Sequence, residues 1–169
     1  MKKMLFISIG FFLGISLLFN SCDKVNDILA LPSMTAKVDN TTWTSVFNTA
    51  AMYRNNDYIS IIGAPEISAD ADKLIRIEVN QRLEGKYEFE MSIIDDCMIY
   101  YSKTAGATYG SSDYYEAILA TVTITKIDTE KKTISGTFSG TLIETSHTTN
   151  DEINITEGKF DNISYQEIE

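Results

Sequence analysis

The chain has 169 residues, with 14 basic against 24 acidic side chains and a formal net charge of −10. Such an acidic chain lacks the basic patch that nucleic acid requires and has no electrostatic route onto anionic lipid. One histidine and two cysteines also leave too few soft ligands for a zinc site.

The N-terminus reads Met1-Lys2-Lys3, then an apolar run over residues 4–19 broken by Ser8, Gly10, Gly14 and Ser16, then Asn20-Ser21-Cys22. The run falls short of the roughly 20 apolar residues that a membrane-spanning helix needs. A charged start, an apolar middle and a small residue at the cut site form the pattern of a cleaved export signal. The expectation is a signal helix over residues 1–21, cleavage before Cys22, and lipid on the Cys22 sulfur. Leu18-Phe19-Asn20-Ser21-Cys22 resembles the looser Ser-Cys lipobox of Bacteroidetes lipoproteins. That resemblance implies that Cys22 becomes the acylated N-terminus and the chain's link to the membrane. Several acyl chains hold a protein stably, where one gives only marginal binding. Residues 22–33 are then a tether whose extended length is at most about 40 Å.

From residue 34 onward the pattern has period 2. Met34, Ala36 and Val38 share a face over residues 34–38. Asp39-Asn40 both tolerate positive φ and predict a tight hairpin turn into a strand over residues 41–47, which carries Trp43 as a core residue. Residues 49–54 and 58–64 read as the next pair, turning at Asn55-Asn56-Asp57. After an acidic loop over residues 65–72, a strand at residues 73–80 directs Ile75, Ile77 and Val79 inward. After a turn at Glu84-Gly85, residues 86–93 place Tyr87, Phe89, Met91 and Ile93 inward and Glu88 and Glu90 outward. Residues 97–103 form a further strand. Residues 104–113, rich in Gly, Ser, Thr and Ala, predict a mobile loop. A hairpin follows, with Ile118, Ala120, Val122 and Ile124 inward on residues 116–127. Its return strand over residues 133–143 turns Ile134, Gly136, Phe138, Gly140 and Leu142 inward. Residues 152–165 close the domain, with Gly158 at a bulge. No helical period is sustained. The expected fold is all-β, an antiparallel β-sandwich or small open barrel of about 8–10 strands in a single domain over residues 34–169.

Little reactive chemistry is visible. Lipidation of Cys22 leaves Cys97 as the one thiol, which excludes an internal disulfide. Cys97 reads as a small buried hydrophobe, far from the loop that carries His147. Glu88 and Glu90 read as solvated charge rather than a catalytic pair. Asp70, Asp72, Asp95 and Asp96 lack calcium-loop spacing, and no phosphate loop or nucleophile elbow occurs. No metal, no cofactor and no enzymatic activity are expected. The tyrosines are more suggestive. Tyr100-Tyr101 and Tyr114-Tyr115 bracket the loop that carries Tyr109, and neighbours in a strand point to opposite faces. Tyr101, Tyr109 and Tyr114 are the candidate binding residues, placed to stack on sugar rings or anchor a protein.

Three stretches carry a wider resemblance. They are residues 36–43 (AKVDNTTW), residues 122–128 running to 133–138 (VTITKID, TISGTF), and residues 155–163 (ITEGKFDNI). Together they resemble a Bacteroidetes lipoprotein family of unknown function. The resemblance carries no catalytic or binding residues. The expected function is a non-catalytic binding or accessory module for a glycan or protein, held in the cell envelope at the outer membrane, in either leaflet. The alternatives are a structural protein that engages other envelope proteins, or a small-barrel carrier of an apolar ligand lodged above Gly136 and Gly140.

Overall fold

A computed structural model describes residues 33–55, 57–67, 72–91 and 96–169. The signal segment, Cys22, the tether up to residue 32, Ile93, Asp70 and Asp95 lie outside the described residues. The ten strands are β1 (Ser33–Val38), β2 (Thr41–Thr44), β3 (Phe47–Tyr53), β4 (Tyr58–Ala64) and β5 (Leu74–Val79), then β6 (Gly85–Glu90), β7 (Cys97–Ser102), β8 (Tyr114–Asp128), β9 (Thr133–Glu144) and β10 (Glu152–Ile168). No helix occurs among the described residues. The fold is all-β, as the periodicity predicts, and it joins the two expected architectures. All ten strands belong to one sheet, and seven of them close a ring in the order β10-β3-β4-β5-β7-β8-β9. Every pairing is antiparallel except β10 with β3.

Closure depends on two long strands that change partners partway along. β8 pairs with β7 over Tyr114–Glu116 and with β6 over Leu119–Ile124, and its pairing with β9 shifts register between Ala117 and Leu119. β10 pairs with β1 over Ile155–Asp161 and with β3 from Tyr165, and its register against β9 shifts between Phe160 and Ile163. Bulges bend a strand and raise its twist, so each one lies where the sheet turns a corner. A further bulge follows Ile155, where Glu157 takes φ 52°, and Asn162 takes φ 51° at the second. Across these bulges Ile153, Ile155, Gly158, Phe160, Ile163 and Tyr165 all stay buried, although simple alternation from Ile153 would have turned Gly158 and Phe160 out. Gly158 therefore borders a bulge as expected.

The core lies inside the ring, on Ile59, Ile61, Ile75, Ile77, Ile99, Val122, Ile134, Leu142 and Phe160. Each fully buried aliphatic or aromatic side chain contributes about 1.5–3 kcal/mol. β1 and β2 fold over this core. The Trp43 ring is buried, and its Nε1 donates to the Lys73 carbonyl at 2.7 Å. Asp39 and Asn40 take φ 47° and 63°, the left-handed pair of a type I′ hairpin. Gly136 lies on the inner face because a Cβ there would overlap the Thr123 carbonyl oxygen and the Phe160 ring. Phe160 fills the space above Gly136, and Ile99 reaches over Gly140. The room expected there for an apolar cargo is thus occupied by side chains.

Two inward assignments and one outward assignment are overturned. β6 ends at Glu90, so Met91 leaves the sheet and stands in water. Ile118 sits in the β8 bulge and is only half-buried. The third is Tyr101, at the candidate site. The strand expected over residues 41–47 also breaks at Ser45, whose N–H donates to the Met34 carbonyl at 2.9 Å and turns the chain toward β3.

Candidate ligand groove

The layer β3-β4-β5-β7 has a dry inner face and an outer face that carries the tyrosines. The pairing registers set Thr49, Ile62, Arg76, Tyr100 and Glu116 side by side across five strands on the outside. Strand parity decides which tyrosine belongs there. Cys97, Ile99 and Tyr101 share one phase of β7 and are buried, so Tyr101 is a core residue and Tyr100 faces outward. The expected exposure of Tyr101 is therefore corrected to Tyr100. The phase of Cys97 and Ile99, both legible in the sequence, was the signal that assigns it. On β8, Tyr115 is buried and Tyr114 half-buried on the outer face, as expected. Tyr109 is 70% exposed.

Tyr100, Tyr109 and Tyr114 line a groove of about 410 Å³ with Ile62, Leu74 and Arg76. That volume lies within the range of small-ligand sites. The Tyr100 and Tyr114 rings are 5.9 Å apart and tilted by 36°. The Arg76 guanidinium stands 4.4 Å from the Tyr100 ring centroid, and its Nη2 donates to the Tyr114 hydroxyl at 3.1 Å. Its Nε lies 3.3 Å from Glu78 Oε1. Burial opposes the Arg76 charge, but Glu78 and the surrounding tyrosines outweigh it and hold the pKa above the ordinary value. Burial, seconded by Glu78 and Glu116, pushes the Tyr100 phenol up, and burial does the same to Tyr114. Burial and a hydrogen bond to Glu78 also raise Tyr58, whose ring packs 5.4 Å from Tyr53. The face thus presents neutral phenols around an arginine whose charge is already paired. Such a surface suits an uncharged polar ligand with apolar ring faces better than an anion. Sequence reading missed Arg76, Glu78 and Tyr58, because a charged residue on an outward strand face looks like any solvated charge until its cross-strand neighbours are known.

The loop over residues 104–113 is hydrogen-bonded at three points. Ala105 N donates to Asp72 Oδ1 at 2.8 Å, Thr104 Oγ1 to Asp113 Oδ2 at 2.9 Å, and Gly110 N to Thr145 Oγ1 at 2.9 Å. These bonds hold Tyr109 on a ridge between the groove and a second cleft of about 270 Å³ lined by Met91, Met98, Ile118 and His147. Tyr115, directly behind Tyr114, donates its hydroxyl to Asp151 at 2.8 Å, and Lys103 approaches the same carboxylate at 3.0 Å.

The remaining reactive residues are dispersed. Cys97 is buried on the core face, and burial pushes its thiol up to about 11. His147 is exposed in the β9–β10 turn at φ 55°. Glu88 forms an exposed ion pair with Lys86 at 2.5 Å. Among the described residues, no cluster of three or more His, Cys, Asp or Glu side chains is placed to hold a metal ion.

A family model described as a domain of unknown function, DUF6252, matches residues 30–164, which takes in both bulged corners and stops just before the Tyr165–Ile168 stretch that pairs with β3 and closes the ring. The chain belongs to this family. No curated protein and no solved structure matches it. The DUF6252 span begins just before β1 and ends within β10, so the groove lies wholly inside the family domain.

Proposed function

We propose that this DUF6252 protein is an outer-membrane lipoprotein, acylated on Cys22, whose β domain binds glycans without catalysis. The observation that carries the binding reading is the outward set of Tyr100, Tyr109 and Tyr114 around an Arg76 already paired with Glu78. Aromatic faces stack on the C–H faces of pyranose rings, and a fixed Arg–Glu pair offers donors and acceptors to sugar hydroxyls. The non-catalytic reading draws on a thiol buried away from solvent and phenols held neutral. The lipobox-like Leu18–Cys22 stretch supports the anchor.

Two experiments test this reading. Retention of the purified lipoprotein on an array of bacterial-envelope and plant polysaccharides is expected, and the absence of any retained glycan overturns the binding role. Intact mass of the protein from membranes is expected to show a chain starting at Cys22 with its acyl groups. An unmodified Cys22 overturns the anchor.

A further inference from the structure

Three large apolar side chains stand in water at one corner of the domain. Val46 is 62% exposed, Phe47 42% and Ile67 78%. Val46 N donates to the Ala64 carbonyl at 2.8 Å and Phe47 pairs with Ala64, so the start of β3 and the end of β4 meet there, with Ile67 three residues further on. In the segments 45–48 and 64–67, Glu66 is the only charged residue. This is also the corner at which β1 begins. Ser45, the residue before Val46, bonds Met34 through both its backbone and its hydroxyl, and Met34 is the second residue of β1. Between Cys22 and Ser33 the chain can reach at most about 40 Å. The corner is therefore the apolar surface closest along the chain to the acyl anchor. Leu119, an exposed apolar residue elsewhere on the sheet, pairs directly across from Glu90 and shares its cleft with Glu88 and Asp96, an acidic setting that resists burial in headgroups.

We propose that the Val46–Phe47–Ile67 corner seats in the bilayer that holds the Cys22 acyl chains, as a second, hydrophobic contact with lipid. The inference rests on the acylation reading. An acidic protein gains no pull from anionic lipid, so the contact is one of apolar side chains entering the headgroup–acyl boundary. Phe47 shares the outer face of its layer with Ile62 and Leu74 of the groove floor. A seated corner holds that face near the membrane surface, where a membrane-borne glycan is presented.

The test uses the full lipoprotein in phosphatidylcholine–phosphatidylethanolamine vesicles, with an environment-sensitive fluorophore on Phe47→Cys, Val46→Cys or Leu119→Cys. Buried Cys97 and acylated Cys22 leave the introduced thiol as the one that labels. The expected result is a blue shift and strong quenching by lipid-borne nitroxide at positions 46 and 47, with neither at 119. Position 47 as open to a water-borne quencher as position 119 overturns the proposal. So does protection that lipid nitroxide fails to quench and that grows with protein density, since a second copy would then cover the corner. Intact mass separates the two claims: an acylated protein with a wet corner sinks only this inference, whereas an unacylated one sinks the anchor and this inference together.

Discussion

The two faces of the sheet where β7 pairs with β8 use the same residue type for different ends. Tyr101 and Tyr115 point inward, their rings 6.3 Å apart in the core. Tyr100 and Tyr114, one residue away on the same strands, point outward with rings 5.9 Å apart beside Arg76. The backbone is shared, so the pleat alone separates a stabilising pair from a surface pair. The lesson is that an aromatic cluster in a β protein divides by parity, and half of it is unavailable to a ligand.

The largest expected effect tests that division. Tyr101→Ala or Tyr115→Ala removes a buried ring and should cost about 3–5 kcal/mol in urea unfolding. Tyr100→Ala and Tyr114→Ala remove half-exposed rings and should cost about 1 kcal/mol each. Equal losses at positions 100 and 101 would show that the outer face is core as well. Next comes Gly136→Ala, whose Cβ must displace Phe160 or the β8 backbone. A loss of about 1–3 kcal/mol is expected, and a neutral result would mean the inner face is looser than described.

Acid should erode the rim before the core. Glu144 is buried at the end of β9, where hydrogen bonds from Thr149 and Thr148 outweigh desolvation and hold its carboxyl below the usual range. Hydrogen bonds from Lys132 and Arg54 hold Glu167 down to about 2. A carboxyl depressed in the folded state lends stability that is complete above its unfolded pKa and is lost as pH falls through the folded value. For Glu167 that window runs from about 4.5 down to about 2. Unfolding titrations over this range should show stability falling with pH, and the fall should shrink in Glu167→Gln. An unchanged slope in that variant would remove the assignment. The smallest effect concerns Cys97. It should resist thiol reagents in the native protein at pH 8 and react only on unfolding, because burial keeps it protonated.

The sequence revealed the elements better than their phase at corners. Asp39-Asn40 announced its hairpin, and the alternation of Ile75, Ile77 and Val79 identified β5 and its inner face. Both signals are local. Ile118 was misassigned because a bulge where β8 changes partners interrupts the alternation, and the second β10 bulge at Asn162 left no mark in composition. Met91 was misassigned because β6 ends when β8 turns away to β7, a non-local event. At the groove, Tyr109 and Tyr114 were legible from the loop they border. Arg76 and Glu78 were not, since their meaning comes from Tyr100 and Tyr58 on neighbouring strands.

The most direct test of the account is glycan retention by the Tyr100→Ala variant, compared with wild type at equal folded fraction. The outward-face account predicts a folded protein that has lost most of its retention. Wild-type retention by that variant would contradict it and move the binding surface away from the tyrosine groove.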